Sequence, residues 1–403
     1  MGQSTFYWYG HLTLPAGGNF VFVSMKRLAI ASAVILSAVV QAGPAVAAAP
    51  DVTVLYTGLS NPRGLAFDRD GTLYITEAGR GADGAANPTC LPRPQGIGCL
   101  GATGALARLD RNGTLTRVLT GLPSLAGPDG TEAIGPDDIA FNRHDRALLT
   151  VGLSEAPANR DGLPDPGREM GRLLSVRRDW SGDWYTQRLT TQRIADIAGH
   201  EAANNPDGGE LDSNAQSVAF GPGGAAVVDA GANSLLFVTP AGQVSTLAVF
   251  PERQMPAPPN FNMPAGTMLP MQSVPMAVVY RDGAYYVAEL TGRPFTQGSA
   301  RIFKVVPGKQ PTVYAEGLTT VVDIAFGPDG ALYALEFTHT SMFGPSRGVG
   351  ALMRIPGEGK APEMVLDKVD HPGGIAIRGR NAFITTCSVC ATTGSVMKLR
   401  LPA

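Results

Sequence analysis

Excess charge of either sign is missing from this chain. Its 403 residues carry a formal net charge of −2, and only 16% of them are Asp, Glu, Lys or Arg. So balanced a charge does not suggest a nucleic acid or an anionic membrane, and neither is expected as a partner. Histidine is scarce, with five in all. No H-E-x-x-H or P-loop run occurs, which counts against zincin-type and P-loop nucleotide chemistry. A long apolar run is lacking as well. Leu28 to Val40 is shorter than the roughly 20 residues a membrane-spanning helix needs.

That short run reads instead as an export signal. Lys26 and Arg27 precede it, and Ala45-Val46-Ala47 offers a small-x-small cleavage site after it. Met25 stands directly before Lys26, so residues 1–24 read as an extension from an upstream start, 25–47 as the signal peptide, and 48–403 as the folded domain. A secreted or periplasmic protein with no stable span after cleavage is expected, and a monomer. The four cysteines fall into two local pairs, Cys90/Cys99 and Cys387/Cys390. In an exported chain they read as disulfides, with local pairing favoured over cross-pairing. The C-x-x-C spacing of Cys387 and Cys390 also fits a zinc site, but the wider spacing of the other pair does not.

Fifty glycines and 32 prolines, scattered between short Val/Leu/Phe/Tyr runs, indicate an all-β chain rich in turns. Gly58 to Ala78 (GLSNPRGLAFDRDGTLYITEA) shows the unit: two short apolar runs about an Asp70-Gly71 turn, a β-hairpin pattern. The unit returns five times, aligned on Phe67, Phe141, Phe220, Tyr280, Phe326 and Ile377. Successive anchors lie between 46 (Tyr280 to Phe326) and 79 (Phe141 to Phe220) residues apart. Two further strand-like runs follow most units, which makes four-stranded antiparallel repeats, the blades of a propeller. The last repeat lacks its fourth strand, and Val52 to Tyr56 ahead of the first can supply it. The expectation is a six-bladed β-propeller closed by its N-terminal strand, which leaves no open sheet edge.

Blade geometry sorts residues by face. Those just before each innermost strand share one rim with the ends of the second strands, and the long insertions (79–103, 154–169, 193–214, 253–274 and 338–350) hang from that same face. Long loops on a rigid scaffold are where binding sites lie. Candidate binding residues are therefore Asn61, Arg63, Asp138, Asn214, Gln216 and Asp323, with Asp137 and Ser273 on the same rim. Glu77, Asp229, Glu289 and Glu336 recur with the blade period and read as structural acceptors for loop amides. Asn205, Asp207, Glu210 and Asp212 crowd hard oxygen donors around two glycines, a composition that suits Ca²⁺, although a loop satisfying its own amides has the same look. His371 precedes an innermost strand and is the candidate general base. Met255, Met263, Met268 and Met271, among prolines, read as a soft lid or a mobile insertion.

The runs NNPDGGELDSN, VVDAGANSLLFV, STLAVFP and AYYVAELTGRPF resemble the ScyD/ScyE family of exported bacterial propellers, a likeness that spans roughly Val52 to Leu399. It implies a six-bladed propeller, and some relatives are linked to biosynthesis of scytonemin, an indolic-phenolic pigment. The Pro62–Glu77 hairpin is also similar to the first blade of quinoprotein sugar dehydrogenases, which bind PQQ and calcium. SMP30-type lactonases share the six blades and hold a divalent metal with Glu, Asn and Asp, a set that Asn61, Asn214, Asp138 and Glu77 loosely resemble. The leading expectation is a propeller that binds a small molecule or glycan on its loop-bearing face. The alternatives are a metal-assisted lactonase or PQQ-dependent oxidoreductase, and a protein-interaction scaffold.

Overall fold

The computed structural model describes residues 51–93, 96–179, 188–340, 342–343 and 345–402. The expected N-terminal extension and signal peptide lie outside the described residues.

Six antiparallel sheets form a six-bladed propeller. The innermost strands are Pro62–Phe67, Pro136–Phe141, Ala215–Gly221, Pro275–Arg281, Val321–Phe326 and Ile375–Arg378, for blades 1 to 6. The N-terminal strand Val52–Leu59 pairs with the C-terminal strand Gly394–Arg400 and completes blade 6. That closure joins the two ends of the described chain by hydrogen bonds and removes the edge a three-stranded last blade would expose. Blade 2 takes its outer strands from Arg172–Asp179 and Arg188–Asp196, a stretch whose sequence gives little strand pattern.

Burial explains the sequence pattern of each strand. The second strands Leu73–Glu77, Ala147–Val151 and Leu332–Glu336 are buried throughout. Each is pressed on both faces by neighbouring blades, so it reads as a continuous apolar run rather than an alternating one. The outermost strand of blade 4, Thr312–Leu318, has exposed residues at four of its seven positions. The apolar core is correspondingly divided. Six larger clusters lie one between each adjacent pair of blades, with the sixth joining blade 6 to blade 1.

Side-chain rungs on the innermost strands tie these layers together. The Asp138 carboxylate of blade 2 accepts from Ser217 Oγ (2.8 Å) and Val218 N (3.0 Å) of blade 3. Ser217 Oγ in turn accepts from Val278 N of blade 4 at 3.1 Å. Asp323 of blade 5 accepts from Ile375 N of blade 6 at 2.7 Å. Threonines on the second strands make a second set: Thr76 Oγ1 donates to Asp137 O, Thr150 Oγ1 to Gln216 O, and Thr385 Oγ1 to Arg63 O, each crossing to the next blade.

The insertions carry structure of their own. The blade 1 insertion extends a sheet strand into the hairpin Cys90–Arg93/Gly96–Leu109, which the Cys90–Cys99 disulfide crosses. Cys387 and Cys390 form the second disulfide. Both local pairs form, so neither supplies thiolates to a zinc ion. The insertion after blade 2 holds the helix Ile197–Asn204, N-capped by Asp196, which accepts from Gly199 N at 2.8 Å. Asn205 ends that helix in the left-handed conformation. The 253–274 insertion is a hairpin, Arg253–Pro256 against Met268–Met271. Its turn is held down where the Phe261 ring meets Phe343 (5.3 Å) and lies under the Arg293 guanidinium (4.5 Å).

Candidate functional site

A cavity of about 210 Å³ opens at the mouth of the central channel on the loop-bearing face. Its floor comes from one register position, four residues before each aromatic or aliphatic anchor. That position holds Arg63, Asp137, Gln216, Met276 and Val322 in blades 1 to 5, all of which line the cavity, and Gly373 in blade 6. The position repeats around the ring while its chemistry changes: polar in blades 1 to 3, apolar or bare in blades 4 to 6.

The polar wall is a connected chain. Asn214 Nδ2 donates to Gln216 Oε1 at 2.8 Å, and Gln216 Nε2 donates to Asp137 Oδ1 at 3.3 Å. The guanidinium of Arg63 stands 3.8 Å from the same Oδ1 and donates to Ala133 O at 2.6 Å. Asn214 is itself fixed, since its Oδ1 accepts from Leu153 N at 3.0 Å. Across the mouth, Arg347 pairs with Glu132 at 2.8 Å. The opposite wall is apolar, built from Leu290 and Phe295 of blade 4, Phe337 and Met342 of blade 5, and Val389 of blade 6.

Burial sets the electrostatics of this wall. Asp137 is 3% exposed. Loss of water pushes its carboxyl up to about 7, against the pull of Arg63 and Gln216 and helped by neighbouring Asp138. Its Oδ2 is buried and without a hydrogen-bond partner. Asp138 is raised to about 6, again by burial, and the amides and hydroxyl it accepts from hold it back. Asp323 is raised by burial and by Asp138.

The structure brings together Arg63, Asn214 and Gln216 in the cavity wall. It places Asp138 and Asp323 outside that lining, in the rungs between blades, because neighbouring residues on a strand point to opposite sides. Asn61 is also elsewhere: fully buried, it donates to Gly79 O (2.7 Å) and Gly130 O (2.8 Å) and pegs down the adjoining loops. His371 does not line the cavity. It follows the outermost strand of blade 5, its ring lies 5.6 Å from that of Phe337, and its Nδ1 is 2.6 Å from Asp370. Gly373 and Gly374 separate it from the innermost strand of blade 6, which begins only at Ile375.

The four periodic acids form caps. Glu77 accepts from Ser60 N, Asp229 from Asn214 N, and Glu336 from Thr319 N, while Glu289 accepts from Ser273 Oγ. Each closes the turn that leads into its own blade. In the 201–214 loop, Asp207 accepts from Gly209 N and Asn233 Nδ2. Asn205 donates to Gly209 O, Asp212 lines the cavity, and Glu210 is exposed. Among the described residues, no three His, Cys, Asp or Glu side chains already meet at metal-ligand spacing.

Sequence reasoning missed Glu132, Phe295, Met342 and Arg347. They come from loops with no periodic pattern, and the cavity methionines are Met276 and Met342 rather than those of the 253–274 insertion. Ser346 stands at the centre of a G-x-S-x-G run (344–348), the spacing of a nucleophile elbow. Here the loop joins two strands of blade 5 and leads into Val349–Ile355, not into the helix such an elbow requires.

No family model matches the sequence, and no curated protein matches it. Solved structures do match, and they are β-propeller proteins. A protein of unknown function from Bacteroides thetaiotaomicron aligns at 10% identity over 87% of this chain and 72% of that one, with a TM-score of 0.50. Virginiamycin B lyase from Staphylococcus aureus aligns at 13% identity over 87% and 99%, with a TM-score of 0.46. The PQQ domain of pyranose dehydrogenase from Coprinopsis cinerea aligns at 13% over 87% and 95%, with a TM-score of 0.42. At such identities the likeness extends to the fold alone.

Proposed function

We propose that this chain is an exported propeller of the ScyD/ScyE kind that binds a small organic molecule, a hydroxylated ring or one sugar unit, in the cavity at the channel mouth. The observation that carries this reading is the contrast between the hydrogen-bonded chain Asn214–Gln216–Asp137 from blades 2 and 3 and the apolar side chains Leu290, Phe295, Phe337, Met342 and Val389 from blades 4 to 6. Such a site holds a ligand with one polar edge and one apolar face. Its size agrees: an apolar cavity of roughly 150 Å³ takes a benzene ring, and this one is about 210 Å³ with polar groups on one side. Each arginine of the cavity has an acid beside it, Glu132 for Arg347 and Asp137 for Arg63, and Asp212 lines the same cavity. An uncharged ligand therefore fits better than a strong anion. Two disulfides favour an oxidising compartment.

The test is calorimetric titration of the mature protein with simple phenols, indoles and monosaccharides, alongside Gln216→Ala and Leu290→Ala. A compound bound by the wild type and at least tenfold more weakly by both variants supports the reading. Binding indifferent to both, or none from any class, refutes it. A second reading, an enzyme, is favoured by one observation: Asp137 puts a carboxyl poised near neutral pH in the cavity wall. In that reading Asp137 takes or gives the proton, and a bound compound would be turned over by the wild type but not by Asp137→Asn.

A further inference from the structure

We propose that the loop between blades 2 and 3 holds a hard divalent cation of the Ca²⁺ class, with Glu201 as its central ligand and Asn205 and Asp212 beside it. This inference stands apart from the ligand reading of the cavity.

Glu201 lies on the last turn of the helix Ile197–Asn204 and is 1% exposed. Neither Oε1 nor Oε2 has a hydrogen-bond partner. One helical turn on, Asn205 Oδ1 is likewise buried and without one. Three orphaned acceptor oxygens thus fall within a single turn of chain. Buried carboxylates are normally paired or bound to metal, because an unpaired buried charge costs several kcal/mol.

Among the described residues, no basic side chain is among the charged groups that act on Glu201 and Asp212. The charged groups acting on Glu201 are Asp229, Asp207 and Asp212, and those acting on Asp212 are Asp229, Asp207, Glu210 and Glu155. All are acids. Asp229 is already occupied, accepting from Ser213 Oγ, Asn214 N and Ala232 N. Asp207 is occupied by Gly209 and Asn233. They contribute field rather than ligands. A proton on Glu201 would remove its charge but would give its oxygens no hydrogen-bonding partner. A cation answers the charge and the orphaned oxygens together.

The donor set is all oxygen, carboxylate and amide, which selects Ca²⁺ or Mg²⁺ over softer metals, and Ca²⁺ tolerates the irregular geometry of a loop completed by carbonyls and water. Compared with the composition of the loop alone, exposed Glu210 and occupied Asp207 leave the ligand set and Glu201 enters it. Asp212 also lines the cavity, so an ion held beside it fixes one edge of the cavity.

The experiment uses the full mature protein, stripped with chelator and titrated with CaCl₂ alone, read by thermal unfolding and by metal analysis after dialysis. The expected result is a rise in Tm with Ca²⁺ and about one bound ion per chain. Glu201→Gln should weaken Ca²⁺ binding at least tenfold, and Glu210→Gln should leave it unchanged. Asp212→Asn serves the same purpose as Glu201→Gln if that variant does not fold. No bound ion and no shift in the wild type overturns the proposal, as does a shift that survives both Glu201→Gln and Asp212→Asn.

Discussion

Replacing Asp137 by Asn isolates the energetic consequence of burying a carboxyl in the cavity wall. Burial lifts Asp137 from its ordinary 3.8 to about 7. Between those values the folded protein holds a proton that the unfolded chain has released. Stability from this group is therefore fully present below about pH 4, falls as pH rises, and is flat above about pH 7. The loss is on the order of 4 kcal/mol for a displacement of this size. Asparagine keeps the shape and keeps Oδ1 as acceptor for Gln216, yet has no charge to bury. At pH 8.5 Asp137→Asn should be more stable than wild type by about 2 to 4 kcal/mol, the lower figure allowing for relaxation around the ionised carboxylate. At pH 4.5 the two should nearly coincide. Urea-unfolding midpoints at the two pH values measure this directly. If the variant is the less stable one at pH 8.5, attraction to Arg63 outweighs the cost of burying the carboxylate, and the reasoning fails.

Other consequences follow from the ring. Thr150→Val removes a hydroxyl that crosses to Gln216 O and should cost about 1 to 3 kcal/mol of unfolding free energy, because the carbonyl stays buried. Asp229→Ala strips the acceptor from three donors. Chemical denaturation should show a loss of about 2 to 4 kcal/mol, and an effect below about 1 kcal/mol would mean those donors find water. A chain starting after Leu59 loses the outer strand of blade 6. Light scattering should show it self-associating through the exposed Gly394–Arg400 edge, whereas a stable monomer would show that the ring does not depend on that strand.

The architecture was legible because its signal is periodic. Six hairpins with a shared anchor, and a strand spare at one end, leave little choice but a closed ring. Blade 2 shows the limit: its outer strands, Arg172–Asp179 and Arg188–Asp196, carry so many polar residues that only pairing in space defines them. The site was legible to the level of a rim and no further. Asp137 and Asp138 are neighbours in sequence and both acidic, yet one faces the cavity and the other bonds to blade 3. A one-residue difference in register decides this, and composition cannot see it. Arg347 and Met342 reach the cavity from a loop whose course depends on packing of Phe343 against Phe261 and Phe295, contacts remote in sequence.

That division between adjacent positions is itself testable. The position of Arg63, Asp137, Gln216, Met276 and Val322 faces the cavity, and the next one, with Asp138, Ser217 and Asp323, binds blade to blade. The first can change its chemistry freely from blade to blade, because it faces the cavity and not a neighbouring blade. The second is confined to small or hydrogen-bonding residues, because a rung must span a close gap: a Cβ on Gly64, its equivalent in blade 1, would come within 2.5 Å of Asp138 Oδ1. Gln216→Ala and Ser217→Ala should therefore part company although the residues are consecutive. Gln216→Ala should weaken the ligand at least tenfold, with about 1 kcal/mol or less lost from stability. Ser217→Ala leaves Val278 N without its acceptor and removes one of the donors to buried Asp138. It should cost about 2 kcal/mol or more in stability, with ligand affinity changed less than threefold. Paired titration calorimetry and denaturant unfolding on the two variants decide the matter. If both variants lose affinity and stability together, the site and the ring are not separable in this way, and the cavity floor must be regarded as one cooperative network.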